Sequence, residues 1–175
     1  MFAVVLSGPP GAGKTSVLTA LADALADDDL AHGVVDGEAL VWAHPAPSAE
    51  EHGRRVATVC RLHREAGHRL LLVAQTVETD EELARLLGAV GADDYLLVRL
   101  EAAPATLAKR ITEREPEGWS GLSPLVDRAK ALAATMPAIR GFELVLRTEG
   151  ERPEAVARRI REARPSELTA PGVPA

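Results

Sequence analysis

An α/β fold, with a parallel sheet covered by helices on both faces, follows from three features of the chain. Apolar runs of strand length alternate with helix-period segments, the pattern that right-handed crossovers close into a parallel sheet. Those runs are almost continuously apolar instead of alternating, as strands buried on both faces require. Directly after the first run, Gly8-Pro9-Pro10-Gly11-Ala12-Gly13-Lys14-Thr15 matches G-x-x-x-x-G-K-[ST] at every specified position.

Strands are expected over residues 2–6, 33–35, 70–74, 95–100 and 142–146, each bounded by turn residues. Helices are expected in the gaps, over about 14–26, 49–66, 80–90, 104–114, 122–134 and 153–164. Thr79 with Glu82 three residues on, ahead of Leu83, Leu86 and Leu87, reads as a capping box, and Pro104 and Pro153 suit the first turn of their helices. Asp27-Asp28-Asp29 reads as the solvated end of the first helix. Residues 165–175 hold three prolines and no apolar period, so they are expected to be a disordered tail beyond one domain over 1–164.

With 46% hydrophobic and 26% charged residues the 175-residue chain is globular, and no apolar stretch reaches the roughly 18 to 20 residues of a membrane span. Met1 leads straight into a strand with no secretory signal, so a cytoplasmic protein is expected. A net charge of −6, with basic residues dispersed, argues against a nucleic-acid partner. Cys60 is the single cysteine and falls on an apolar stripe with Val56 and Val59, which reads as a core position. Oligomeric state is not encoded in these patterns.

The glycine-rich loop is where the chemistry concentrates. Between a strand and a helix, Gly8, Gly11 and Gly13 let main-chain N–H groups around Ala12 face a phosphate chain. The free amides and dipole at the helix start, which includes Ser16, favour the same anion. Lys14 brings a positive charge to the terminal phosphates, and Thr15 brings a hydroxyl to Mg²⁺.

In parallel sheets the ligand lies beyond the carboxyl ends of the strands. Asp36, closing the second run and followed by Gly37-Glu38, is the leading acid there. It is suited to hold Mg²⁺ with Thr15 or to accept a proton from an attacking hydroxyl, and its plainer reading is a turn cap. The third run ends Gln75-Thr76, without an aspartate at that point. Glu78 and Asp80 lie just beyond, where Asp80 more simply starts a helix, and Glu101 ends the fourth run. Arg110 and Arg114, four apart, share a helix face and reach either a ligand or the neighbouring acids Glu113, Glu115 and Glu117.

The loop, the Asp36-Gly37 element, and Val98-Arg99-Leu100-Glu101 leading to Arg110-Ile111-Thr112-Glu113-Arg114 resemble the small P-loop kinases of the nucleoside-monophosphate kinase-like group. Gluconate, shikimate and adenylylsulfate kinases and chloramphenicol phosphotransferase are its members acting on small molecules. The resemblance implies a three-layer P-loop NTPase fold with a five-stranded parallel sheet of order 2-3-1-4-5. It also implies a lid over about 113–124 and an acceptor pocket above the second and third strands. By it, Arg110 packs on adenine, Arg114 reaches the phosphates, Asp36 lies beside the acceptor hydroxyl, and Thr148 passes near the base. Gln75-Thr76 stand where the nucleotide-phosphorylating members carry Asp-Gly, which favours a sugar, acid or antibiotic-like alcohol as acceptor.

Gly118 and Gly121 flank Trp119 within that lid, as hinges around it or as a loop pinned to the core. Trp42, His44, His52, Arg54 and Arg55 populate the acceptor segment. The two histidines lack the company of a zinc site. The expected activity is transfer of the γ-phosphoryl group of ATP, with Mg²⁺, to a hydroxyl or acid group of a small molecule. The alternative is an ATP-binding or ATP-hydrolysing regulatory protein. A GTPase is disfavoured, since the chain has no asparagine and cannot contain Asn-Lys-x-Asp.

Overall fold

In a computed structural model, residues 1–169 are described, and they form one five-stranded, all-parallel sheet of order β2-β3-β1-β4-β5. The strands are β1 (Phe2–Ser7), β2 (His32–Asp36), β3 (Leu70–Ala74), β4 (Asp94–Glu101) and β5 (Leu144–Arg147). The helices are α1 (Lys14–Asp27), α2 (Ala49–Glu65), α3 (Asp80–Val90), α4 (Pro104–Arg114), α5 (Leu122–Thr135), α6 (Pro153–Ala163) and α7 (Pro165–Leu168). Single 3₁₀ turns occur at Ala39–Val41 and Met136–Ala138. Among the described residues no helix is long and apolar enough to cross a membrane.

β1 lies at the centre and is wholly buried because both of its faces are covered. Even-numbered residues Val4 and Leu6 join Leu72, Val98 and Leu100 under α1, α4 and α6. Odd-numbered Ala3 and Val5 join Leu71, Val73 and Leu97 under α2 and α3. That period-2 division, applied to a continuous apolar run, is what makes three layers. Cys60 belongs to the second of these cores, and burial pushes its thiol above the ordinary range.

Three expectations change. Thr79 does cap α3, accepting the Glu82 amide at 3.2 Å, but the Glu82 carboxylate accepts from the Glu78 amide at 2.8 Å, so the reciprocal box is not closed there. The closed box is at α2, where Ser48 accepts the Glu51 amide at 3.2 Å and Glu51 accepts the Ser48 amide at 3.0 Å. Asp28 is not merely solvated, because Arg161 of α6 pairs with it.

The third change concerns the tail. Residues 165–169 are ordered against the domain: α7 follows directly on α6, Leu168 is fully buried, and its carbonyl accepts from Arg161 at 3.0 Å. Proline is compatible with a helix start, and one leucine supplies enough apolar surface to dock a single turn. The remainder of the expected tail, 170–175, lies outside the described residues.

Candidate active site

The loop between β1 and α1 is shaped by its glycines. Gly11 has φ of +82°, and a Cβ there would come within 2.9 Å of the Leu107 carbonyl oxygen of α4. Gly13 sits at the helix N-cap in the left-handed region, φ 92°, with no side chain to cap the helix. The first helical bond runs from the Val17 amide to the Gly13 carbonyl at 2.9 Å, so the amides of Lys14, Thr15 and Ser16 emerge from the helix start. Ala12 is buried and its amide is taken by the Pro9 carbonyl at 3.1 Å, so it shapes the loop from within.

Lys14 is only 6% exposed, folded back along this loop. It donates to the Gly8 carbonyl at 3.0 Å and pairs with Glu38 Oε1 at 3.0 Å. Burial pulls its ammonium below the ordinary range, with Glu38 opposing the shift. At Glu38 burial raises the carboxyl, but the Lys14 charge and the bonds from Thr76 outweigh it and hold the group below its ordinary range. The Thr76 amide donates to Glu38 Oε1 at 3.1 Å, and the Thr76 hydroxyl donates to the same oxygen. Glu38 is therefore ionised at neutral pH and fixed in place.

Asp36, the last residue of β2, is held in a turn of its own making: Oδ1 accepts the amides of Glu38 at 3.0 Å and Ala39 at 3.3 Å. Its Oδ2 accepts the Thr15 hydroxyl at 3.2 Å. Turn cap and partner of Thr15 are thus the two oxygens of one carboxylate. The Thr15–Asp36 pair is a donor set that fits Mg²⁺, which takes one or two protein oxygens and completes its shell with phosphate and water.

A cavity of about 450 Å³ opens over this group. Gly11, Gly13, Lys14, Thr15, Ser16 and Glu38 line one end. Arg114 and Arg128 border it from α4 and α5, paired with Glu115 at 2.6 Å and with Glu78 respectively. The other end runs between α2 and α3. Asp36 does not itself line the cavity and bears on it through Thr15.

Arg110 and Arg114 part company despite their shared face. Arg110 donates to the Gly11 carbonyl at 3.2 Å, to the Thr148 hydroxyl at 2.9 Å and to the Thr148 carbonyl at 2.8 Å, bracing the loop against the end of β5. Thr148 is 4% exposed and its hydroxyl donates to the Ala12 carbonyl at 3.0 Å, so its side chain supports Arg110 and the loop from below. Of the acceptor segment, Trp42 and His52 line the cavity. Arg54 instead pairs with Glu50 at 2.5 Å and Arg55 donates to the Leu40 carbonyl at 2.8 Å. Trp119 is 45% exposed with its indole lying over Gly121, so it does not pin the segment to the core.

Solved structures share this fold along nearly their whole length. A sugar kinase from a Janibacter species is 17% identical with a TM-score of 0.64, covering 97% of this chain and 99% of that one. The tunicamycin resistance protein of Deinococcus radiodurans is 19% identical with a TM-score of 0.60, covering 97% and 98%. Shikimate kinase from Acinetobacter baumannii, solved with shikimate, is 17% identical with a TM-score of 0.54, covering 95% of each chain. This chain has the fold of the small P-loop kinases. No protein-family model matches the sequence, and comparison with curated proteins finds no relative.

Within the P-loop fold, two participants are not marked in the sequence. Glu38 gains its place only when the turn after β2 folds back on Lys14, although its spacing two residues after Asp36 puts it at the strand end. Arg128 sits mid-helix with no motif around it and reaches the cavity on the same side of α5 as Leu125, paired with Glu78. His52, by contrast a residue the sequence places in the acceptor segment, holds Gln75. The imidazole Nε2 lies 2.9 Å from the Gly37 carbonyl and must carry the proton, so Nδ1 accepts from Gln75 Nε2 at 3.4 Å. That leaves Gln75 Oε1 buried without a donor among the described residues.

Proposed function

We propose that this protein transfers the γ-phosphoryl group of ATP to a hydroxyl of a small molecule in the cytoplasm. The observation that carries the reading is the meeting of Lys14, Thr15 and Glu38 at one end of a cavity that continues between α2 and α3. A phosphate site and an acceptor-sized space then share an ionised carboxylate at their junction.

In this reading the emergent amides of Lys14, Thr15 and Ser16, with Gly11 and Gly13, hold the phosphate chain. Thr15 and Asp36 hold Mg²⁺, which supplies neutralisation of phosphate charge. Lys14 exchanges its contacts with the loop carbonyls and with Glu38 for the terminal phosphates. Glu38, released from Lys14 by that exchange, accepts the hydroxyl proton of the acceptor. Its low proton affinity is no obstacle, because loose phosphoryl-transfer transition states depend on positioning and charge stabilisation more than on a strong base. Arg114 and Arg128 turn inward onto the transferring group, and residues 113–124 close as a lid about Gly118, excluding water. Arg110 and Thr148 hold the loop and flank the adenine.

ADP formation measured across a panel of alcohols and acids tests this. One class of acceptor should accelerate ATP consumption, and Lys14→Ala should remove that acceleration by about a hundredfold or more. ATP consumption that no small molecule accelerates would contradict it.

A further inference from the structure

The far wing of the cavity differs in character from the phosphate end. Val41, Trp42, Gly53, Val56, Leu86 and Ala89 line it, with the exposed Arg85 at its rim. Of the polar side chains beside it, Glu82 holds the Glu78 amide at 2.8 Å and His52 is bonded to Gly37 at 2.9 Å, which leaves Gln75 Oε1, next to His52, as one buried acceptor without a donor among the described residues. A polyhydroxylated acceptor would bury hydroxyls against this wall with few partners, a costly arrangement. Apolar surface would lie there without that cost.

Two residues point further. Trp42 is 88% exposed, an unusual position for the largest apolar side chain, and it stands at the mouth of the wing. Gly53 lies inside α2, where glycine is the poorest residue but proline. A Cβ there would meet nothing within 4 Å and its φ is not in the left-handed region, so neither backbone nor packing requires glycine. What its bare backbone preserves is open space, on the helix face turned to the cavity. The total volume, about 450 Å³, suits a small molecule.

We infer that the phosphoryl acceptor is an alcohol carried on a flat apolar ring, seated between α2 and α3 against Gly53 with Trp42 closing over its outer face. This rests on the phosphotransfer reading and narrows its acceptor.

Full-length protein with MgATP is assayed for ADP formation with 2-phenylethanol and 2-(2-naphthyl)ethanol against gluconate and shikimate, while calorimetry follows ATP binding separately. The aryl alcohols should accelerate ADP formation and the polyhydroxy acids should not. Gly53→Leu, which fills the slot with a good helix former, should raise KM for the aryl alcohols at least tenfold with ATP affinity unchanged, and Trp42→Ala should raise it severalfold. Gly53→Ala, a folding control, should leave the stability of α2 equal or higher. Acceleration by gluconate or shikimate alone, absence of both binding and turnover with the aryl alcohols, or an unchanged KM in a folded Gly53→Leu protein would overturn the inference while leaving a kinase. Failure of the wild type to bind ATP would instead overturn the phosphotransfer reading itself.

Discussion

Lys14 and Glu38 form a pair whose members are unequally buried, with side chains 5% and 45% exposed. Replacing Glu38 with Gln leaves the Lys14 ammonium without its counter-charge, at a cost of about 1 to 2 kcal/mol once the exposure of Glu38 is allowed for. The pH dependence has a definite sign. Since the folded Glu38 carboxyl is held below its ordinary value of 4.5, its contribution is fully present above that pH and is lost as acid protonates the folded group below it. Thermal melts of wild type and Glu38→Gln should therefore differ most near neutrality and converge below pH 4.5. A gap that stays constant from pH 7 to pH 3 would show that Glu38 carries no such linkage. At this scale the sequence was partly legible. Lys14, Thr15 and Asp36 announce themselves by motif and strand-end position, whereas Glu38 and Arg128 take their places through tertiary approach that no spacing records.

Elements were far more legible than single contacts. Continuous apolar runs mark strands well, although the edge strands β2 and β5 leave Val34 and Val145 exposed where burial on both faces was expected. All five strands and six of the helices fall where periodicity puts them, within a few residues at their ends. Caps were less so. The box at Ser48 closes α2 after an irregular segment containing Pro45 and Pro47, where no apolar period guides the eye to a helix start. Ser48→Ala should lower stability by about 1 kcal/mol, seen in denaturant unfolding. Because α2 forms one wall of the acceptor wing and not the phosphate cradle, ATP affinity should be unaffected. A Ser48→Ala protein with unaltered stability would mean that the helix start is held by something else.

For the molecule as a whole, the sheet order 2-3-1-4-5 places β1 and β3 centrally, so that the loop after β1 and the turns after β2 and β3 converge on one site. Alternation of strands and helices predicts a parallel sheet, but the order came from the resemblance carried by the loop motif, since periodicity alone does not say which strands are neighbours. The C-terminal segment shows the converse limit: proline content suggested disorder, while the burial of Leu168 beside Arg161 and Asp28 closes the base of the α1–α6 layer. Leu168→Ala should cost about 2 to 3 kcal/mol, and truncation after Arg164 at least as much, with no change in nucleotide affinity. Equal melting temperatures for truncated and full-length protein would show the docked turn to be dispensable.

The convergence on one site stands or falls with the phosphate cradle. Titration calorimetry of the folded protein with ATP and Mg²⁺ should show saturable binding at one site per chain, weakened at least tenfold by Lys14→Ala with no loss of fold by circular dichroism. No heat of binding at millimolar ATP, or equal affinity in the Lys14→Ala protein, would contradict the account.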